Sequence, residues 1–341
     1  MRPGTSRVRT VGELFERARA GDPRATGLLL SLVENPSDRL REAMELLARH
    51  AGHAATIGVT GAPGVGKSTL VAALVGAYRQ VGSRVGVLAV DPSSPFTGGA
   101  VLGDRVRMQA HATDDAVFIR SMASRGHLGG LSWATPQALR VLDAVGFDVV
   151  VVETVGVGQS EVEIAGLADS TVVVLAPGLG DGIQAAKAGI LEVGDVFVVN
   201  KSDRDGAGQV VRDLTAMLRL VPPGPHAWTP PVVRTVAHRE EGIDALVVEL
   251  RRHRDWLTTS GGLAERRRWQ AREEVEALAQ AEFLATARSV LGEAGVSDLA
   301  DAVVRGALDP YTAADRLVQA AYRAQHAASS TPYGDGSALV L

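Results

Sequence analysis

Gly61-Ala62-Pro63-Gly64-Val65-Gly66-Lys67-Ser68-Thr69 fits the pattern G-x-x-x-x-G-K-[ST] without a gap. Glycines without a Cβ let the backbone curl, so that successive N–H groups point inward at phosphate oxygens. Lys67 offers an ammonium to the β- and γ-phosphates, and Ser68 offers a hydroxyl to Mg²⁺. A helix starting here adds its positive end to the same cradle. The neighbours suit this reading. Residues 54–60 are a short apolar run of strand type, and residues 70–75 are an apolar run of helix type. Strand, loop and helix in that order imply a nucleoside triphosphate site in an α/β fold.

Bulk composition sets the bounds. The chain has 341 residues, 46% of them hydrophobic, enough for a large core with an appendage. A formal net charge of −4 gives no general pull toward nucleic acid or an anionic membrane. Cysteine is absent, which excludes disulfides, thiolate catalysis and Cys-ligated metal, and suits a reducing compartment. The first nine residues lack the apolar stretch of a secretory signal. No apolar run approaches the roughly 18 residues of a membrane span. The expectation is a cytoplasmic protein with no nucleic-acid or membrane partner.

Working outward, residues 11–51 read as helices, with Leu14, Phe15 and Ala18 on one apolar face and Leu40, Met44 and Leu47 on another. Candidate strands fall at 57–60, 85–90, 116–121, 147–153, 171–176, 196–200 and 232–236. Most are continuous apolar runs, the pattern of strands buried on both faces of a mainly parallel sheet. Helices between them would make right-handed crossovers. From about 241 the pattern is helical, with a long amphipathic stretch over 266–290 and shorter helices near 298–308 and 310–325. The expected architecture is therefore a P-loop NTPase with a mainly parallel central sheet, a helical N-terminal extension and a helical C-terminal dimerisation arm. The expected divisions are 1–52 for the extension, 53–258 for the nucleotide domain, 259–326 for the arm and 327–341 for a disordered tail.

Ligands in such sheets sit beyond the carboxyl ends of the strands, and the polar motifs fall there. Asn200-Lys201-Ser202-Asp203 closes the run 196–199 and matches N-K-x-D. Asp203 can accept from the N1–H and exocyclic amine of guanine, a pair adenine does not offer. Lys201 can lie along the base and Asn200 can brace the loop, so GTP is favoured over ATP. Glu153-Thr154-Val155-Gly156 closes the run 147–152. P-loop proteins carry an acid there that senses Mg²⁺, often through water, and a glycine whose N–H meets the γ-phosphate. Asp91 emerges at the end of 85–90, with Asp104 following a Pro/Ser/Gly-rich loop, and both are within reach of the metal shell. Lys67, Glu153, Asp91 and Asp104 are thus the candidate catalytic set. Ras-like GTPases carry a glutamine directly after the Gly of that motif; here it is Val157, with Gln159 two residues on. Slow intrinsic hydrolysis follows, completed by a partner or by dimerisation. The loop from 177 feeds Gln184 and Lys187 onto one helical face and reads equally as a switch or as a plain connection.

Taken together, residues 61–69, Asp91-Pro92-Ser93-Ser94 with Gly103-Asp104-Arg105, Ser121-Met122-Ala123-Ser124-Arg125-Gly126, the run Glu153-Thr154-Val155-Gly156-Val157-Gly158-Gln159-Ser160-Glu161 and Asn200–Asp203 resemble the MeaB/ArgK/MMAA family. The resemblance spans about residues 11–320. It implies a homodimeric GTPase that chaperones adenosylcobalamin-dependent acyl-CoA mutases, most often methylmalonyl-CoA mutase, gating cofactor loading and protecting or rescuing the mutase. It places Ser68, Asp91, Asp104 and Glu153 around Mg²⁺, and makes 177–187, with Gln184 and Lys187, a third switch. Gly182 and Gly194 depart from the family, which commonly has an acid and an alanine there. A metal-delivery protein and a P-loop kinase acting on a small molecule are the alternatives; the metal-delivery branch usually carries Cys or His motifs that this chain lacks.

Overall fold

A computed structural model describes residues 10–34, 38–92, 113–124, 134–154, 163–178, 191–220 and 227–329. Its centre is a seven-stranded sheet of order β3-β2-β4-β1-β5-β6-β7. The strands are β1 (Ala55–Thr60), β2 (Val85–Pro92), β3 (Val117–Ser124), β4 (Val149–Thr154), β5 (Ser170–Leu175), β6 (Val196–Val199) and β7 (Val232–Arg234). Every pairing is parallel. All seven coincide with the runs read from sequence.

Continuous valine runs become strands here because both faces are covered. In β4, Val149 and Val151 face one layer and Val150 and Val152 the other, and all four are buried. The first layer contains α4 (Lys67–Gln80) and α7 (Ile243–Ser260). The second contains α1 (Val11–Arg19), α2 (Pro23–Glu34), α3 (Asp38–Ala48) and α5 (Thr135–Ala144). Helix α6 (Ala207–Leu218) covers β5 and β6 with Leu214. Each fully buried valine contributes about 1.5 kcal/mol, so an alternating strand would forfeit half of that drive. The N-terminal helices therefore complete the core. Asp22 caps α2 by accepting from the Arg24 N–H at 2.9 Å.

The chain divides into two compact units, the first running to Arg267 and the second from Arg268. Helix α8 (Gly262–Val304) is broken at Gly292, where φ is 69° and ψ 167°. The sequence pattern anticipated separate helices near 266–290 and 298–308; the chain instead makes its turn at this one glycine. Within the second unit Phe283 meets the Tyr322 ring of α9 (Pro310–Ser329) with centroids 6.3 Å apart. Ala287, Ala320 and Ala321 are buried.

The amino ends of the strands carry a polar clasp within the first unit. Arg266 donates to both Asp195 oxygens, at 2.9 and 3.1 Å. Arg267 donates to both Asp169 oxygens, at 3.0 and 2.7 Å, and to the Ala54 carbonyl at 2.8 Å. The two aspartates precede β5 and β6, so the root of α8 is tied to the base of the sheet. His253 of α7 is fully buried beside them. Its Nδ1 is 2.8 Å from Ser170 Oγ, its Nε2 3.4 Å from Asp195 Oδ1, and its ring forms a three-membered aromatic cluster with Trp228 and Trp256, themselves 5.8 Å apart.

Burial holds the His253 imidazole below the ordinary histidine pKa, and the nearby Arg266 adds to this; Asp195 and Asp169 oppose it without prevailing. A lowered value in the folded state means that the unfolded chain binds the proton more readily. Stability is therefore insensitive to this group at neutral pH and is lost as pH falls through the unfolded value of about 6.5, by at most about 1.4 kcal/mol per pH unit. Urea unfolding of His253→Gln is expected to show a shallower loss of stability between neutral and mildly acid pH than the parent. Parallel profiles would dismiss the histidine as the sensitive group.

Candidate nucleotide site

Four strand ends converge at the carboxyl edge of the sheet. β1 runs straight into the loop 61–66, and α4 begins at Lys67. Gly61 has φ 140° and Gly66 φ 98°. A Cβ on Gly61 would run into the Val174 carbonyl oxygen, and one on Gly66 would sit 2.5 Å from Asn200 Nδ2. The curl therefore exists only with glycine at both positions. Lys67 is buried, and its ammonium donates to the carbonyls of Gly61 at 2.8 Å and Ala62 at 3.2 Å. The cation is thus held inside the loop, where phosphate oxygens would meet it.

Ser68, in the first turn of α4, donates its hydroxyl to Glu153 Oε1 at 2.6 Å. Both residues are buried. The register of β1 with β4 sets this contact, because Val59 pairs with Glu153 and brings the acid level with the start of the loop. Thr154 supports the strand ends by donating to Thr60 Oγ1 at 3.1 Å. A hydroxyl and a carboxylate side by side are hard oxygen donors of the kind Mg²⁺ prefers, so the residues present fit that ion. Ala89 of β2 also pairs with Glu153, which sets the Asp91 backbone two residues further toward the same edge.

The N-K-x-D segment is stitched to the loop by side chains. Asn200 donates to the Val65 carbonyl at 3.0 Å and accepts from the Thr235 hydroxyl and the Ala237 N–H, both at 3.1 Å. Lys201 has φ 55°, and its ammonium donates to the Gly64 carbonyl at 2.6 Å. Asp203 stands 3.9 Å from Arg239. The carbonyls of Gly61, Ala62, Gly64 and Val65 all accept from Lys or Asn donors, which keeps these oxygens from an anion that the loop's N–H groups would bind. This arrangement can grip a polyphosphate and present a carboxylate to a base, with a metal at Ser68 and Glu153.

The profile of the family described as methylmalonyl Co-A mutase-associated GTPase MeaB matches residues 26–291. The chain belongs to the MeaB family. A Pyrococcus abyssi (strain GE5 / Orsay) protein is 46% identical over 311 residues, covering 91% of this chain and 96% of the relative. The Mus musculus protein named methylmalonic aciduria type A homolog, mitochondrial, is 33% identical over 338 residues, covering 93% of this chain and 81% of the relative. The crystal structure of LAO/AO transport system kinase superposes with a TM-score of 0.68 at 28% identity, covering 93% of this chain and 99% of that one.

In this MeaB-family chain, Lys67, Ser68, Glu153, Asn200, Lys201 and Asp203 all lie at the carboxyl edge of the sheet. Asp104, Gly156, Gln159, Gln184 and Lys187 lie outside the described residues, as does the Asp91 side chain. Among the described residues no group of three or more His, Cys, Asp or Glu is placed to hold a metal ion, and no helix is long and apolar enough to cross a membrane. Thr235, Ala237 and Arg239 escaped the sequence reading. Their only signal was a polar turn following the last apolar strand. The departure at Gly194 has a local cause: a Cβ there would lie 2.5 Å from Phe197 Cζ, so the buried phenylalanine ring takes the space.

Gly66 and Gly82 allow a matched comparison. Both have positive φ, 98° and 83°, yet a Cβ on Gly82 meets nothing within 4 Å. Gly82→Ala should cost about 1 kcal/mol of backbone strain and leave nucleotide binding untouched. Gly66→Ala adds the collision with Asn200 and should lower GDP affinity by about tenfold or more, a loss of about 1.4 kcal/mol. Urea titration and GDP calorimetry of the two variants check this, and equal GDP affinities would contradict the stitching.

Proposed function

We propose that this chain is a Mg²⁺-dependent GTPase that converts GTP to GDP and phosphate in the service of an adenosylcobalamin-dependent acyl-CoA mutase, with methylmalonyl-CoA mutase the first candidate. The observation that carries the GTPase reading is the bond from Asn200 to the Val65 carbonyl, which joins a phosphate cradle to a guanine-reading segment. The family description and the name of the mouse relative support the choice of partner.

In this reading Lys67, held inside its loop, meets the β- and γ-phosphates, with N–H groups of the loop around them. Ser68 and Glu153, joined by Asp91 and Asp104, would hold the metal. Held there, Mg²⁺ would supply positive charge against the phosphates. Asp203 accepts from guanine, and Gly156 meets the γ-phosphate with its N–H. Val157 follows Gly156 where a water-orienting glutamine would sit, so hydrolysis is slow until the mutase completes the site. Gln159, Gln184 and Lys187 carry that signal. A homodimer through the C-terminal arm fits the exposure of Val275, Leu278 and Val290 along α8.

Purified protein should hydrolyse GTP slowly, strictly with Mg²⁺, and excess ATP should not compete. Lys67→Ala should lose most binding and turnover while keeping its circular dichroism. Asp203→Asn should trade GTP for xanthosine triphosphate, since an amide N–H₂ can meet the xanthine carbonyl. The cognate mutase should accelerate the wild type, and Lys187→Ala should blunt that acceleration with GTP affinity nearly intact. Rapid hydrolysis by the protein alone, or equal binding of ATP and GTP, would refute the reading.

A further inference from the structure

Asp203 has one cation within 4 Å among the described residues, and nothing in the pattern N-K-x-D requires it. Arg239 closes the 3₁₀ turn Ala237–Arg239 after β7. Its guanidinium stands 3.9 Å from Asp203 Oδ2 and 3.9 Å from Glu241 Oε1. The other cations nearby are engaged elsewhere. The Lys201 ammonium is on the Gly64 carbonyl at 2.6 Å, and Arg234 faces the Ser202 carbonyl at 3.5 Å.

Arg239 and Asp203 are carried by one frame. The Ser202 N–H donates to the Thr235 carbonyl at 3.0 Å, and the Ala237 N–H donates to Asn200 Oδ1 at 3.1 Å. The turn is closed by the Val236 N–H on the Glu241 carbonyl at 3.0 Å and the Arg239 N–H on the Val236 carbonyl at 2.8 Å. The backbone segments that carry the guanidinium and the carboxylate are thus held side by side by hydrogen bonds that also position Asn200.

We infer that Arg239 is a positioning residue for guanine recognition: its charge holds the Asp203 carboxylate in place to face the base without occupying its oxygens. At 3.9 Å the contact is too long for a hydrogen bond, so the lone pairs of Asp203 stay open to the two guanine donors. Glu241, at the same distance on the other side, gives the guanidinium a second acid to face, so it is not drawn fully onto Asp203. The side chain of Asp203 is 28% exposed and that of Arg239 54%, so the effect is modest and sensitive to salt. The inference rests on Asp203 being the guanine acceptor.

The test is GDP calorimetry on wild type, Arg239→Gln, Arg239→Lys, Asp203→Asn and the Arg239→Gln/Asp203→Asn double variant, at low and high salt. Titrations carried to millimolar GDP keep the weak complexes readable. Arg239→Gln should weaken GDP binding about threefold at low salt and less at high salt, the size a half-exposed ion pair supports. Arg239→Lys should retain most of the affinity. In the Asp203→Asn background the Arg239→Gln change should have no further effect, because the neutral amide has no charge for it to act on. An equal loss in both backgrounds would show that Arg239 acts on the fold or the phosphates and would overturn the inference. So would an unchanged affinity in Arg239→Gln, or a lysine that restores nothing. Full GDP affinity in Asp203→Asn alone would instead bring down the reading of the base site, a result visible before Arg239 is considered.

Discussion

The carboxamide of Asn200 is the contact on which the site depends. One end donates to the phosphate-type loop and the other accepts from the turn after β7. It is 3% exposed, so water does not compete for these bonds. A buried amide with its groups satisfied is held firmly, and losing one partner would strand the others at about 1–3 kcal/mol each. Three segments separated in the chain, at 61–67, 200–203 and 235–239, are thereby held in one geometry. Gly66 is glycine for the same reason, since a methyl group there would displace the amide.

The sheet supplies the platform for that contact. With β1 flanked by β4 and β5, the loops that follow β1 and β4 open side by side at the carboxyl edge. Parallel pairing sets residues of neighbouring strands level, which is why Glu153 arrives beside Ser68 with no special loop to carry it. At the opposite edge, Asp169 and Asp195 receive Arg267 and Arg266, and fix the root of α8 to the strands that end near Asn200. Buried ion pairs of this kind specify an arrangement more than they stabilise it, because desolvation offsets much of the attraction.

The charges at the site are divided by task. Lys67 and Lys201 turn their ammonium groups onto carbonyls of the loop, which prevents those oxygens from facing an anion. Ser68 and Glu153 gather hard oxygen donors at one point. Asp203 faces outward beside Arg239, away from the metal donors, so a base and a metal would be served by separate acids.

Local sequence determined the loop itself, the seven strands and the segment 200–203, because each is a short-range pattern: glycine spacing, apolar runs too continuous for a half-exposed strand, and polar residues at a run's end. Tertiary structure alone decided the partnerships. Strand order, and with it the meeting of Ser68 with Glu153 across 85 residues, follows from how both sheet faces are covered by helices. His253 is one of eight histidines in the sequence, and became a buried group only when α7 folded against Ser170 and Asp195. Arg239 was one charge in a polar turn until β7 paired with β6 and brought that turn beside Asp203. Periodicity and motif spacing describe what a segment can do alone, whereas an ion pair or hydrogen bond between distant residues exists only once packing has removed the water between them.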